Sequence, residues 1–335
     1  MPSSQKSTAP LALTIGEPAG IGPEIALKAW QAASDSELPP FVLLGDVDVM
    51  GTQSERLGIP IAQIESVDTG SRIFPEALPV FHIPFAQQPV LGVPSQATAQ
   101  GVLNAIKMAV DLCLTGEARA VITNPIQKSV LQHAGFSHPG HTEYLAHLSQ
   151  QAGHAATPVM MLANEKLRAI PVTIHIALSA VPESLTKDII VDTARIAHGD
   201  LQSRFGIAVP RLAFAGLNPH AGEDGAFGDE DERVIAPAIA QLRAEGIDAA
   251  GPLPADTMFH DEARDKYDVA ICMYHDQALI PVKTLGFHDG VNVTLGLPFV
   301  RTSPDHGTAL NLAGTGTARP DSLIAALKLA DRLAS

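Results

Sequence analysis

Short apolar segments alternate with longer helical patterns along nearly the whole chain, and this alternation limits the fold more than any other feature. Segments that read as strands include "LALTIG", "FVLLG", "LPVFHI" and "ARAVITNP" in the first 125 residues. Residues 22–33 and 95–117 between them repeat apolar positions at helical spacing. The later segments "PVMMLA", "RAIPVTIH", "RLAFAGLN" and "DVAICMYH" continue the pattern. Repeated β-α units predict an α/β fold with a mostly parallel or mixed sheet covered by helices.

The length of 335 residues predicts two domains or one large α/β unit. We expect a first α/β domain from residues 1–125 and 305–335, and a central α/β domain from residues 126–304. The glycine-rich loops argue against a standard Rossmann fold. In "TIGEPAGIGPEI", Ile25 stands where the dinucleotide fingerprint needs a third glycine, and in "GTGTAR" Arg319 takes that place.

Composition excludes several classes of protein. A formal net charge of −14 disfavours binding to nucleic acid or to an anionic membrane, and only 4% of the residues are aromatic. No apolar segment reaches the ~18 residues that a spanning helix needs, so we expect a soluble cytoplasmic protein. Cys113 and Cys272 stand among apolar neighbours and are predicted to be buried thiols rather than a disulfide. An anionic substrate would need a local cluster of cations.

Three predicted strands end on histidine, namely on His175, His220 and His275. In parallel α/β sheets, ligands bind beyond the carboxyl ends of the strands. Three imidazoles at that edge would suit one divalent metal with an open coordination position. The alternative is that these side chains are ordinary surface or hydrogen-bonded core histidines. Their shared position at strand ends favours the metal site, but the long spacing between them is not diagnostic. The two interpretations therefore have about equal weight.

A cationic set follows His275. Lys283, Asn292 and Arg301 lie at equal spacing in largely apolar surroundings. A lysine, an amide and a guanidinium together suit a phosphate or carboxylate, whereas the alternative is solvated surface charge. "PGHTEYLAHL" opens a predicted helix whose first N–H groups could bind an anion with help from Thr142, unless Thr142 is simply the N-cap.

The chain resembles the 4-hydroxythreonine-4-phosphate dehydrogenases of vitamin B6 biosynthesis. The resemblance runs through "LTIGEPAGIGPEI", "ITNPIQK", "GHTEYLA", "GLNPHAGE", "GPLPADTMF", "YHDQALIPVK" and "GVNVTLGLPFVRTSPDHGTALNLAGTG". That family is distantly similar to the isocitrate and isopropylmalate dehydrogenases. The resemblance implies a two-domain α/β/α homodimer with a shared active site in the interdomain cleft.

The resemblance also implies residue roles. A divalent metal (Zn, Mg or Co), one per subunit, would bind the three strand-end histidines, one of them reaching in from the partner subunit. Substrate would contact two residues of "GHTEYLA" and the three residues of the cationic set, and two residues are catalytic candidates. NAD or NADP would contact the segment that follows the last strand. The sets are: metal, His175, His220 and His275; substrate, His141, Thr142, Lys283, Asn292 and Arg301; catalytic, Asp256 and Lys283; cofactor, Asp305, His306, Gly307 and Thr308.

The implied reaction is metal-assisted oxidation of the 3-hydroxyl of 4-phosphohydroxy-L-threonine, with hydride passing to the nicotinamide. The resulting 3-keto acid would lose CO₂ to give 3-amino-2-oxopropyl phosphate. The base stays open between Asp256 and a water relay. Three alternatives remain: a related dehydrogenase for a four-carbon sugar-acid phosphate or a cis-dihydrodiol acid, a metal-dependent hydrolase, and a binding protein without catalysis.

Overall fold

The computed structural model describes residues 9–138 and 140–335. Within them the strands are β1 (Leu11–Thr14), β2 (Phe41–Gly45), β3 (Ile61–Ile64), β4 (Leu78–His82), β5 (Ala120–Thr123), β6 (Val159–Ala163), β7 (Arg168–Pro171), β8 (Arg211–Ala215), β9 (Asp248–Leu253), β10 (Val269–Cys272), β11 (Val291–Leu295) and β12 (Val300–Pro304). Most of them are buried apolar segments, as the alternation predicted.

The helices lie between these strands and after the last one. They are α1 (Gly22–Gln31), α2 (Val47–Leu57), α3 (Gly70–Ile73), α4 (Ala99–Thr115), α5 (Lys128–His133), α6 (His141–Gln151), α7 (Val181–Ser184), α8 (Lys187–Ser203), α9 (Ala236–Ala244), α10 (Asp261–Arg264), α11 (His275–Leu285) and α12 (Asp321–Leu333). Cap chemistry explains several of their ends. Asp46 accepts hydrogen bonds from the N–H groups of Asp48 and Val49 at the start of α2, and Gly58 ends that helix in the left-handed conformation.

The chain forms two compact units. Unit 1 comprises residues 1–158 and 297–335, and unit 2 is Val159–Gly296. The boundaries therefore differ from the expected ones, because residues 126–158 and 297–304 lie with the terminal segments. Two contacts explain the difference: β12 pairs with β5, and α6 packs on α4. Both partners are distant in sequence, and the strand-helix alternation does not reveal such pairing.

Unit 1 contains a parallel sheet with strand order β3-β4-β2-β1-β5-β12. The central strand β1 is fully buried, and the cluster around α4 packs between the sheet and α6. The loop after β1 lies against the segment after β12. The N–H of Ile21 donates to the Thr308 carbonyl at 3.0 Å, and a Cβ on Gly20 would lie 2.7 Å from that oxygen. Glycine is therefore required at position 20 for this approach.

Unit 2 contains a mixed sheet with strand order β11-β6-β7-β10-β8-β9. β11, β6 and β7 pair antiparallel, whereas β7, β10, β8 and β9 pair parallel. The buried cluster around β10 and β8 packs against α11. The predicted α/β class with a mixed sheet is confirmed.

Two smaller expectations concern membranes and cysteines. Among the residues that the structure describes, no helix is long and apolar enough to cross a membrane. Cys113 and Cys272 are free thiols, and burial raises the pKa of Cys113 to about 12. Both thiols are thus protonated at neutral pH, which fits the expected structural role.

Candidate active site

The three predicted metal ligands follow three neighbouring parallel strands of unit 2. His175, His220 and His275 lie four, five and three residues beyond the ends of β7, β8 and β10. The strands thus end earlier than expected, at Pro171, Ala215 and Cys272. The histidines instead occupy the loops and the helix start at the shared carboxyl edge, which is where ligands bind in parallel sheets.

His175 and His275 lie side by side. Their ring centroids are 5.7 Å apart. Beyond the strands, the Thr173 hydroxyl donates to the Met273 carbonyl at 2.7 Å and so fixes the two chain segments against each other. Nδ1 of His275 lies 2.7 Å from Oδ1 of Asp276, which leaves Nε2 for a ligand.

His220 lies in a separate, strained turn. Four non-glycine residues, His220, Ala221, Glu223 and Asp224, have φ between 41° and 54°. Left-handed backbone at such residues costs about 1 kcal/mol each. The buried Asp231 stabilises the turn. Its carboxylate accepts hydrogen bonds from the N–H groups of residues 217 and 218, which precede the turn, at 2.8 and 3.1 Å.

Gln277 connects the strand ends that precede His220 and His275. Its side chain is 8% exposed. Oε1 accepts from the Met273 N–H at 2.7 Å, and Nε2 donates to the Gly216 carbonyl at 2.7 Å. One amide therefore fixes the chain after β10 and the chain after β8.

A metal fits this edge only in part within one chain. Neutral imidazoles supported by a carboxylate are suitable ligands for a divalent transition metal. However, across residues 9–138 and 140–335 no three His, Cys, Asp or Glu side chains form a group that could hold a metal ion. The predicted three-histidine set is thus represented by a pair, His175 and His275.

The predicted substrate residues of unit 2 lie on α11 and β11. Lys283 is half-buried in the last turn of that helix, and the Asn164 side chain donates to the Val282 carbonyl at 2.9 Å beside it. Asn292 lies on β11 with its Oδ1 buried and without a hydrogen-bond partner within the described residues. A buried orphan acceptor of this kind needs a ligand or water to satisfy it.

Asp256 is exposed in a turn after β9 and does not cap a helix. It lines a cavity of about 470 Å³ together with Tyr274 and Asp276. The same two residues also line the cavity that contains His175 and His275. The cavity that Asp256 lines is therefore next to the cavity that contains the histidine pair, and the two share Tyr274 and Asp276.

In unit 1, Arg301 is buried beside the start of α6. It is 3% exposed on β12, and its Nη2 donates to the Thr123 hydroxyl at 2.6 Å. Burial lowers the pKa of Arg301 to about 10, which the Glu143 carboxylate opposes, so the guanidinium is charged at neutral pH. A buried cation is costly and is characteristic of an anion site.

His141 is the first residue of α6, and the cap is Gly140, so Thr142 is the second helical residue and not the N-cap. Pro139 lies outside the described residues. Burial, and then the charges of Arg301 and Lys128, lower the pKa of His141 well below its usual range. Its buried Nε2 has no hydrogen-bond partner within the described residues. His141 is thus a neutral group available to a ligand.

The predicted cofactor segment follows β12 in unit 1. The Asp305 N–H donates to the Ser322 hydroxyl at 3.0 Å, which fixes the segment to the start of α12. His306 has a buried Nε2 without a hydrogen-bond partner within the described residues, Gly307 is exposed, and the Thr308 hydroxyl donates to Gln127 Oε1 at 3.1 Å. Of these four residues, the structure brings Thr308 to the loop that follows β1, where its carbonyl accepts from the Ile21 N–H.

A family model described as "Pyridoxal phosphate biosynthetic protein PdxA" matches residues 37–330. The chain belongs to this family. A protein of Methylorubrum extorquens named 4-hydroxythreonine-4-phosphate dehydrogenase is 57% identical over 330 residues, covering 97% of this chain and 94% of that one. The protein of that name from Bradyrhizobium diazoefficiens is 53% identical, with 97% of each chain covered.

Solved structures agree with this family. The crystal structure of 4-hydroxythreonine-4-phosphate dehydrogenase from Klebsiella pneumoniae has a TM-score of 0.85 and 38% identity, covering 98% of this chain and 100% of that one. A terephthalate 1,2-cis-dihydrodiol dehydrogenase from Burkholderia xenovorans has a TM-score of 0.64 and 29% identity, covering 97% and 98%. Members of the PdxA family are thus named as dehydrogenases, which implies a nicotinamide cofactor.

Three side chains that position the site, or lie in it, were missed from the sequence: Asp231, Gln277 and Lys128. Two of them act through backbone groups of distant segments, which no local pattern shows. Lys128 stands in the quoted segment "ITNPIQK", so its position next to a family motif could have indicated it.

Replacing Gln277 by alanine should destabilise the protein and disorder the histidine edge, the carboxyl edge of β7, β10 and β8 where His175, His275 and His220 lie. The Met273 N–H and the Gly216 carbonyl would both lose their partner in a buried place, at a cost of about 2–5 kcal/mol in the free energy of unfolding. Chemical denaturation measures this loss. Gln202→Ala, at an exposed position of α8, is the matched control. Equal stability of the two variants would show that the Gln277 amide does not stabilise the chain after β10 and β8.

The depressed pKa of His141 predicts a pH effect with a definite sign. As pH falls below about 6.5, the unfolded chain protonates this histidine while the folded protein does not, so stability falls. His141→Gln should therefore lose less stability than the wild type between pH 7 and pH 5.5, by at most about 1.4 kcal/mol per pH unit. Denaturation at several pH values tests this. His154→Gln, at an exposed histidine, is the matched control. Parallel pH curves for wild type and His141→Gln would refute the prediction.

Proposed function

We propose that the protein oxidises the 3-hydroxyl of 4-phosphohydroxy-L-threonine with NAD or NADP to give 2-amino-3-oxo-4-phosphooxybutanoate. That acid then loses CO₂ to form 3-amino-2-oxopropyl phosphate, on the path to pyridoxal 5'-phosphate. The observation that carries this proposal is the buried Arg301 beside the neutral His141. A charged guanidinium held away from water at the start of a helix favours an anionic substrate in a protein of net charge −14.

Each unit offers residues that suit a polar or anionic group of the substrate. Arg301, His141 and Thr142 in unit 1 would hold an anionic group through the guanidinium fork, the imidazole and the first N–H groups of α6. Lys283 and Asn292 in unit 2 would hold a second polar group. The buried Oδ1 of Asn292 supports this role, since it needs a donor that a substrate amine or hydroxyl can supply.

His175 and His275 would bind a divalent metal, with His220 of a second copy as the third ligand. When bound, such a metal supplies Lewis acidity for a hydroxyl or carbonyl oxygen. Imidazole ligands favour zinc or cobalt over magnesium, which prefers oxygen donors. Asp276 would fix the orientation of the His275 ring through Nδ1.

Proton transfer would fall to Asp256, directly or through water, with Lys283 as a second catalytic candidate. Asp256 is exposed and lies in the cavity next to the histidine pair, so it is open to solvent and to substrate. The segment Asp305–Thr308 would contact the nicotinamide cofactor, because His306 there offers an unsatisfied buried nitrogen beside the exposed Gly307.

The same arrangement supports a homodimer with a shared site. The third histidine is absent from the pair within one chain, as far as the described residues show. Next to His175, Ile176 and Leu178 are 44% and 68% exposed. Exposed large apolar side chains in a cluster are typical of protein-protein interfaces.

The direct test is NADH formation from 4-phosphohydroxy-L-threonine before and after chelation. We expect turnover to disappear with the chelator and to return with zinc or cobalt, because a metal held by these histidines would supply Lewis acidity for the hydroxyl. The unphosphorylated analogue and a cis-dihydrodiol acid serve as comparison substrates. Faster turnover of the dihydrodiol, as the Burkholderia relative's name suggests for that protein, would replace the proposed substrate. Metal-dependent hydrolysis without NAD would replace the reaction class.

Mixed dimers test the shared metal site. His175→Ala and His220→Ala should each be inactive alone, whereas their mixture should recover about a quarter of wild-type activity, since half the dimers would carry one intact site. The matched control mixes His175→Ala with His275→Ala, which removes two ligands that the same chain supplies. That mixture should stay inactive. If the first mixture also stays inactive after subunit exchange is verified, the three histidines do not come from two chains.

A further inference from the structure

Lys128 lies beside the anion-binding groups of unit 1. It is the first residue of α5, and its charge is among the causes that lower the pKa of His141. A methyl group placed on Gly140 would lie 3.3 Å from Lys128 Nζ and 3.3 Å from Glu143 Oε2. The ammonium is therefore held close to the backbone at the start of α6, with a carboxylate near it.

The start of α6 is prepared for a ligand. Its cap, Gly140, has no side chain and so makes no side-chain cap to the first N–H groups, in an eleven-residue helix. The buried Nε2 of His141 points to the same need, because it has no hydrogen-bond partner within the described residues. N–H groups without a side-chain cap and a buried imidazole nitrogen without a partner among the described residues together favour an acceptor-rich ligand.

The charges at this place match a phosphate only if Lys128 takes part. A phosphate monoester carries about −1.5 to −2 charges at pH 7. Arg301 supplies one positive charge, and His141 is neutral. Lys128 supplies the second, and the exposed Glu143 can turn toward solvent when the ligand arrives.

We propose that Lys128 is a further substrate-binding residue, which holds the phosphate of the substrate together with Arg301 at the start of α6. This inference rests on the proposed function for the identity of the substrate. It also assigns the phosphate, rather than the carboxylate, to unit 1.

The test compares Lys128→Met, which keeps the chain length but removes the charge, with Lys128→Arg. Lys328→Met, at an exposed lysine of α12, is the matched control for net charge. Steady-state kinetics give the Michaelis constants for the phosphorylated substrate and for the cofactor, and the constant for competitive inhibition by inorganic phosphate. Losing a charged hydrogen bond should raise the Michaelis constant for the substrate and the phosphate inhibition constant about 10- to 100-fold in Lys128→Met. The Michaelis constant for the cofactor should stay within about twofold.

The Lys128→Arg variant tests whether the positive charge at position 128 is what binds the phosphate. Lys128→Arg should restore both constants to within about fivefold of wild type, because it restores the cation. Equal damage in Lys128→Arg and Lys128→Met, or unchanged constants in Lys128→Met, would overturn the proposal. Thermal shift by inorganic phosphate is measured in parallel. If the wild type does not oxidise this substrate, the proposed function fails. A thermal shift by phosphate that is present in the wild type and lost in Lys128→Met would still support the anion site. An equal thermal shift in both proteins would refute the anion site.

Discussion

The parallel pairing of β10 with both β7 and β8 is the constraint on which the histidine edge depends. Because the three strands run in one direction, their carboxyl ends meet at one edge of the unit 2 sheet. Residues far apart in sequence can then be neighbours. Two buried hydrogen-bond systems extend this order past the strands: the Thr173 hydroxyl on the Met273 carbonyl, and the Gln277 amide between Met273 and Gly216.

In unit 1, parallel strand pairing also brings together residues that are distant in sequence, but there it positions a cation instead of histidines. β12 lies parallel to β5, which places Arg301 next to Thr123 and carries the segment after β12 to the loop after β1. Gly20 permits the close approach to Thr308 that a larger residue would prevent. The Arg301 cation and the candidate cofactor segment are thus positioned by backbone pairing.

The sequence predicted β1, β2, β4 to β8 and β10, because these strands are mostly buried apolar segments whose hydrophobic pattern is local. It did not predict β3, β9, β11 or β12. It also predicted that three histidines would follow strands. It placed them at the strand ends themselves, whereas pairing stops three to five residues earlier. The unit boundaries and Asp231 could not be derived, because β12–β5 pairing and the hydrogen bonds of Asp231 join segments that no periodicity relates. The left-handed backbone at His220 could not be predicted either, because four of the residues that adopt it in this turn are not glycines.

The anion-binding groups of unit 1 keep a constant charge near neutral pH. Arg301 keeps its charge because its pKa, although lowered by burial, is still about 10. His141 is kept neutral, as its pKa is lowered by burial and by the neighbouring cations. Neither group changes its charge between pH 6.5 and 8. If phosphate binds there as proposed, these two groups would add no pH dependence over that range, whereas the phosphate itself, whose second pKa is about 6, would. A site of this kind distinguishes a dianionic ligand from a monoanionic one by its own fixed charge.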